Sequence, residues 1–127
     1  MKTLNGIVCL CLLLLPAAYG VSEAADDATR PGALSSPYPT LTNLAIEWEI
    51  EGDGNLNAVC NVEYRRSGES VWLKAMPLVR VPAGNTGERT WPTFRWTNKF
   101  AGSVFDLRPR TRYEIKLSLR DPDGGRA

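Results

Sequence analysis

The sequence predicts an all-β fold, with antiparallel sheets packed face to face as a β-sandwich. Three observations carry that prediction. Leu44–Glu51 alternates without a fault, with Leu44, Ile46, Trp48 and Ile50 on one parity and Ala45, Glu47, Glu49 and Glu51 on the other. Tyr113, Ile115, Leu117 and Leu119 alternate in the same way with Glu114, Lys116, Ser118 and Arg120. A period of two is the mark of a strand with one buried face. Turn formers then punctuate the chain, at Gly52-Asp53-Gly54-Asn55, at Arg66-Ser67-Gly68-Glu69 and at Asp121-Pro122-Asp123-Gly124-Gly125.

The N-terminus reads as an address. Lys2 precedes the apolar run Ile7–Leu15, which Pro16 closes. That run is shorter than the ~20 residues a membrane-spanning helix needs, and it fits the apolar part of a secretory signal peptide. Residues 1–20 form the expected signal, with Ala18-Tyr19-Gly20 at the cleavage site and an alternative cleavage after Ala24. No later segment has the character of a membrane span. Cleavage removes Cys9 and Cys11 and leaves Cys60 alone, so no internal disulfide can form. Residues 21–38 mix Ala, Ser, Asp, Pro and Gly and are expected to be a flexible leader.

The folded domain is expected over residues 39–125. After Leu44–Glu51, a second strand follows at Ala58–Arg65, where Cys60 shares the parity of Ala58, Val62 and Tyr64 and is expected to be a buried, inert thiol. Val71–Met76 is a third strand, ended by Pro77. A long connection then runs through Pro82, Gly84, Gly87 and Pro92 to Asn98, with a strand near Leu78–Val81. Phe100–Leu107 and Tyr113–Leu119 complete six strands. Asp-Gly at 123–124 favours a hairpin, yet the sequence stops two residues past Gly125. The expectation is a C-terminally truncated sandwich lacking its last strand.

These residues resemble a family. Trp48, then Tyr64-Arg65-Arg66 before a Gly turn, then Trp72, resemble the B, C and C′ strands of fibronectin type III modules, which have an immunoglobulin-like sandwich fold. Leu107-Arg108-Pro109-Arg110-Thr111-Arg112-Tyr113 is similar to that family's Leu-x-Pro-x-Thr-x-Tyr corner. The resemblance implies that the Tyr113 hydroxyl bonds back to upstream backbone. It also makes the missing strand the one called G. A narrower likeness joins Glu51-Gly52-Asp53, Asn57-Ala58, Tyr64-Arg65-Arg66, Phe100–Leu107 and Asp121–Gly125 to N-terminal fibronectin-like modules of secreted microbial proteins. In those proteins a parallel β-helix follows, often acting on or binding polysaccharide, and a related arrangement heads purple acid phosphatases.

Composition closes several routes to catalysis. The 127 residues include no histidine, which removes imidazole acid–base chemistry and the common zinc ligand sets. A net charge of +1 gives no case for nucleic acid. Asp53-x-Asn55-x-Asn57 copies the first ligands of a calcium loop, but its twelfth position is Tyr64 rather than an acid, so a plain turn is expected. Glu47, Glu49 and Glu51 line a strand face that offers no cleft for paired-carboxylate hydrolysis. No phosphate-binding or dinucleotide motif occurs.

Two clusters remain as contact candidates. Trp91, Phe94 and Trp96 either stack on sugar rings or a protein partner, or fold down to cap the sandwich, which is the reading a small disulfide-free domain favours. Arg108, Arg110 and Arg112 either grip an acidic glycan or another domain, or form a solvated turn balanced by Asp106 and Glu114. The expected function is a non-catalytic, secreted spacer or docking module, in the extracellular space or cell envelope, with no cofactor and no metal. Its partners would be a downstream domain of the same polypeptide and polysaccharide or another extracellular protein. A stand-alone carbohydrate- or protein-binding module using Trp91–Trp96 is the alternative.

Overall fold

A computed structural model describes residues 27–87, 89 and 91–127. The expected signal peptide and the start of the expected leader, residues 1–26, lie outside the described residues. The strands are β1 (Arg30–Ser35), β2 (Leu44–Glu51), β3 (Val59–Arg66), β4 (Leu73–Lys74), β5 (Val79–Val81), β6 (Gly84–Asn85), β7 (Arg95–Trp96), β8 (Lys99–Val104) and β9 (Tyr113–Arg120). They form one sheet in the order β1-β2-β8-β5, a second in the order β4-β3-β9, and a separate hairpin β6-β7. Every pairing is antiparallel. The arrangement is all-β and consistent with a β-sandwich. No helix among the described residues is long and apolar enough to cross a membrane.

Parity and burial agree where the sequence alternates. Ile46, Trp48 and Ile50 of β2 are buried, and so are Phe100 and Val104 of β8. The register sets Trp48 opposite Phe100 and Leu44 opposite Val104. Cys60 and Val62 of β3 and Leu119 of β9 belong to the same core cluster, so both sheets share one apolar interior. Leu78 joins it from the β4–β5 connection, and its N–H donates to the Cys60 carbonyl at 2.9 Å. Each fully buried large side chain contributes about 1.5–3 kcal/mol.

Each of the six expected stretches contains a strand, and the structure adds three more. Arg30–Ser35 was expected in a flexible leader but is strand β1, paired along β2 with a register shift between Pro31 and Leu34. All six of its side chains are exposed, so no buried face exists for a period of two to reveal. Backbone pairing holds this edge strand, and the Ser36 hydroxyl extends it by donating to the Ala45 carbonyl at 2.8 Å. Val71–Met76 shortens to Leu73–Lys74. Strands β6 and β7 fall inside the long connection.

The turn after β9 also differs from expectation. Arg126 bridges back to Arg120, and Ala127 both receives from and donates to Leu119, at 2.7 and 3.3 Å. The chain therefore turns back onto β9 at Asp121–Gly125, and the returning segment begins pairing at Arg126.

The corner around Tyr113 has the expected form. The Arg108 N–H donates to the Tyr113 hydroxyl at 3.0 Å, and the Leu107 N–H donates to the Thr42 carbonyl at 2.8 Å. This ties the β8–β9 turn to the segment before β2. The hydroxyl bond is exposed, so water can replace part of it. Tyr113→Phe is expected to cost about 0.5–1.5 kcal/mol, measured by urea denaturation.

The same hydrogen-bond parity sorts the amides of β9. Leu119 pairs outward with Ala127, whereas the Arg112 carbonyl accepts inward from Ser67 at 2.9 Å. Odd-numbered residues of β9 thus turn N–H and C=O away from β3, and β9 is the end strand of its sheet. The Ile115 and Leu117 amides are expected to exchange with deuterium faster than those of Lys116 and Ser118, resolved by NMR.

Candidate functional site

Strands β6 and β7 pair as a separate antiparallel hairpin. Gly84 pairs with Trp96 and Asn85 with Arg95. Gly84 is needed because a Cβ there would sit 2.7 Å from a carbon of the Trp96 ring. The Trp96 indole N–H donates to the Pro82 carbonyl at 2.9 Å, fixing the ring across the base of the hairpin. Higher up, the Thr86 N–H donates to the Phe94 carbonyl at 3.0 Å, and the Phe94 N–H donates to the Thr86 hydroxyl at 3.1 Å. The Gly87 N–H donates to the Asn85 side-chain oxygen at 2.7 Å.

Two aromatic rings of this segment face water. Trp91 is 94% exposed and Phe94 61%, while Trp96 is partly covered at 38%. The expectation that the three aromatics fold down as a cap is therefore corrected. The reason lies in what already closes that end of the core. Polar groups occupy it, among them the buried Asp53 and Asp121 carboxylates and the Arg80 guanidinium.

The first of these is a buried ion pair. Asp53 is fully buried and accepts from the Arg80 guanidinium through Nε. Its other oxygen accepts from the Ala58 N–H at 3.1 Å. Arg80 Nη2 donates to the Gly52 and Asp53 carbonyls at 3.4 and 3.3 Å, and the guanidinium lies 5.8 Å from the centre of the Phe100 ring. Sequence reading missed Arg80. Val79 and Val81 suggest that the valines face inward, yet Val79 is 65% exposed and Arg80 stands opposite Phe100.

The second closure joins three loops. Asp121 accepts from the Thr29 N–H at 2.8 Å and the Thr29 hydroxyl at 2.5 Å, and its other oxygen caps the Asp123 N–H at 2.8 Å. The Asn55 and Asn57 amides both donate to Asp123, at 2.8 and 2.6 Å. Asp53, Asn55 and Asn57 therefore do not converge on one point. The first faces Arg80 and the other two face Asp123, so the turn is held by its own side chains.

The carboxylates of β2 are likewise paired singly. Lys99 Nζ meets Glu47 at 2.7 Å, Thr97 donates to Glu49 at 3.0 Å, and Arg30 lies 3.7 Å from Glu51. On the other sheet, Trp72 receives Arg65 at 4.4 Å and Lys116 at 4.7 Å from its ring centre. Arg65 also binds Glu114, at 2.6 Å, and Lys116 binds Glu63, at 2.5 Å.

The arginine corner sits at the opposite end of β2 and β8. Arg108, Arg110 and Arg112 line one open groove of about 550 Å³, together with Thr40, Leu41 and Leu44. Neither Asp106 nor Glu114 lines the groove, though Arg112 still acts electrostatically on Glu114 and Asp106 lines a neighbouring hollow with Arg108. Glu114 is bound to Arg65 and to the Ser67 hydroxyl.

Cys60 is buried and free, and burial pushes its thiol up to about 11. The thiolate is the reactive form.

Fold and surfaces together define a small all-β scaffold that carries an exposed aromatic hairpin at one end and an arginine-lined groove at the other. Comparison with known protein families gives no matching family model, and comparison with curated proteins and with solved structures gives no match either.

Three outcomes are expected. A bulky thiol reagent at neutral pH should leave Cys60 unlabelled in the native protein and label it in urea, followed by mass spectrometry. Arg80→Ala leaves the Asp53 carboxylate buried without its cation, and should cost about 3–5 kcal/mol in a denaturant titration.

The third outcome concerns acid. Hydrogen bonds from Asn55 and Asn57 hold Asp123 below its ordinary value, and bonds from Arg65 and Ser67 do the same for Glu114. The unfolded chain then binds protons more readily than the folded one. The stabilisation is fully present above about pH 4–5 and is lost as pH falls through the lowered folded values. The melting temperature should fall on acidification below that range, and Asn55→Ala/Asn57→Ala should flatten the fall.

Proposed function

We propose that this chain is a non-catalytic, secreted module of the fibronectin type III-like kind, and that it docks through the β6–β7 hairpin. The supporting observation is the solvent-facing pair Trp91 and Phe94, on a hairpin whose strands are held at Trp96 and Phe94. Exposed large apolar rings cost solvation unless a partner covers them, and indole faces suit sugar rings and protein interfaces alike. The corner at Leu107–Tyr113 and the order of strands β2, β3, β4, β8 and β9 support the fibronectin-like reading. In this role the sandwich is a rigid spacer within an extracellular protein that acts on or binds polysaccharide.

The test is titration of the full chain with neutral β-linked polysaccharides, followed by tryptophan fluorescence. Binding should shift the emission of Trp91, and Trp91→Ala should abolish the shift with the melting temperature unchanged. Retained binding in that variant would remove the hairpin from the docking surface. Failure of every neutral polysaccharide, with a protein partner retained by Trp91, would leave the hairpin as a protein-docking surface.

A further inference from the structure

We propose that the groove at the β8–β9 corner is a second, separate binding site, and that it takes an acidic polysaccharide, a sugar chain bearing carboxylate or sulfate groups. The site needs nothing from the aromatic hairpin. The hairpin base adjoins the Glu49/Lys99 end of the β2–β8 pair, whereas the groove adjoins the Leu44/Val104 end.

The charge of the groove is the first argument. Three guanidinium groups, from Arg108, Arg110 and Arg112, line it, and no carboxylate does. Among the described residues none of the three forms an ion pair. Several other surface cations of this chain are paired. Arg65, Lys99 and Lys116 all have carboxylate partners within 2.7 Å. Glu114, the acid adjacent in sequence to Tyr113, binds Arg65 and Ser67. The corner therefore concentrates positive charge in a chain whose net charge is only +1.

The shape is the second. The groove is open and about 550 Å³ in size, with Leu41 and Leu44 as an apolar wall beside the arginines. The three arginines all line this one groove from the turn between β8 and β9. Each is exposed, and an exposed pair is worth only about 0–1 kcal/mol. A single small anion would therefore bind poorly. A ligand that presents several oxyanions at once engages all three forks, and its contributions accumulate.

The walls choose among polyanions. Nucleic acids bind open basic grooves by stacking bases on aromatic faces. Here the one aromatic side chain is Tyr113, and its hydroxyl accepts from the Arg108 N–H. Aliphatic walls and flanking hydroxyls such as Thr40 and Thr111 suit a sugar chain, with C–H faces against leucine and acid groups toward arginine.

The experiment is calorimetric titration of the full chain with polygalacturonate, dextran sulfate, inorganic phosphate and oligothymidylate at two salt concentrations. Polygalacturonate or dextran sulfate should bind, more weakly at high salt, and the preference between them tells carboxylate from sulfate. Inorganic phosphate should bind much more weakly than either. Arg108→Gln/Arg110→Gln/Arg112→Gln should weaken binding ~10-fold or more. Because Arg110 holds a left-handed backbone at φ 55° that a new side chain could disturb, Arg108→Lys/Arg112→Lys serves as the second variant. It keeps the charge and loses the planar fork, and should give an intermediate loss. Trp91→Ala should leave this binding unchanged, even if the hairpin proves to have no ligand. The proposal is overturned if neither acidic polysaccharide binds, if the glutamine variant binds as the parent does, if the lysine variant does, or if oligothymidylate binds more tightly than both polysaccharides.

Discussion

The Asp53–Arg80 pair is the constraint from which much of the arrangement follows. Asp53 belongs to the turn between β2 and β3, and Arg80 belongs to β5. A fully buried carboxylate is tolerated only with a partner, so the turn and the strand must meet. That meeting sets β5 against β8 with Arg80 opposite Phe100, and turns Val79 outward. It places Pro82, two residues on, at the root of the hairpin, where its carbonyl receives the Trp96 indole. The exposed aromatic pair is thus anchored to the core through one ion pair and one strand.

A buried charge pair is a weak source of net stability but a strong source of uniqueness in this setting. The β5 strand is three residues long and exposes much of its apolar surface, so packing alone fixes it poorly. The guanidinium fork adds direction, because it satisfies the Asp53 carboxylate and the carbonyls of Gly52 and Asp53 in one geometry. The Thr29–Asp121 bonds do similar work for the chain entering β1 and leaving β9. Gly125 completes that contact, since at φ 128° it brings its Cα so near Thr29 that a Cβ would lie 2.3 Å from the carbonyl oxygen.

What the sequence revealed and what it hid divide along one physical line. Leu44–Glu51 and Tyr113–Arg120 were legible because each buries one face and wets the other, which writes a period of two into the residues. The Tyr113 corner was legible from a short local pattern. Strand β1 was hidden because its six side chains are all exposed and its stability comes from backbone pairing. Arg80 was hidden because polar inward residues break the parity rule wherever a distant partner supplies the charge, and Asp53 lies 27 residues away. The Thr29–Asp121 contact spans 92 residues, which no local pattern can record. At the candidate sites the residue types were visible, but their exposure was not. The aromatics look like a cap until their exposure is known, and Glu114 looks free for the corner until its bond to Arg65 is found.

That last point joins the two ends of the molecule. A small sheet domain has little interior, and each polar side chain it fixes internally is withdrawn from the surface. Here Asp53, Asp121, Asp123 and Glu114 are all spent on internal bonds. These acids hold loops and strands, and no carboxylate lies among the residues lining the arginine groove. In the same way, filling one end of the core with an ion pair leaves Trp91 and Phe94 nothing to cover. Both exposed surfaces are consequences of how the scaffold satisfies its buried polar groups. The strands of the hairpin are held by Trp96 and Thr86, and the corner by Tyr113 and Thr42, so each surface rests on backbone that the fold itself ties down.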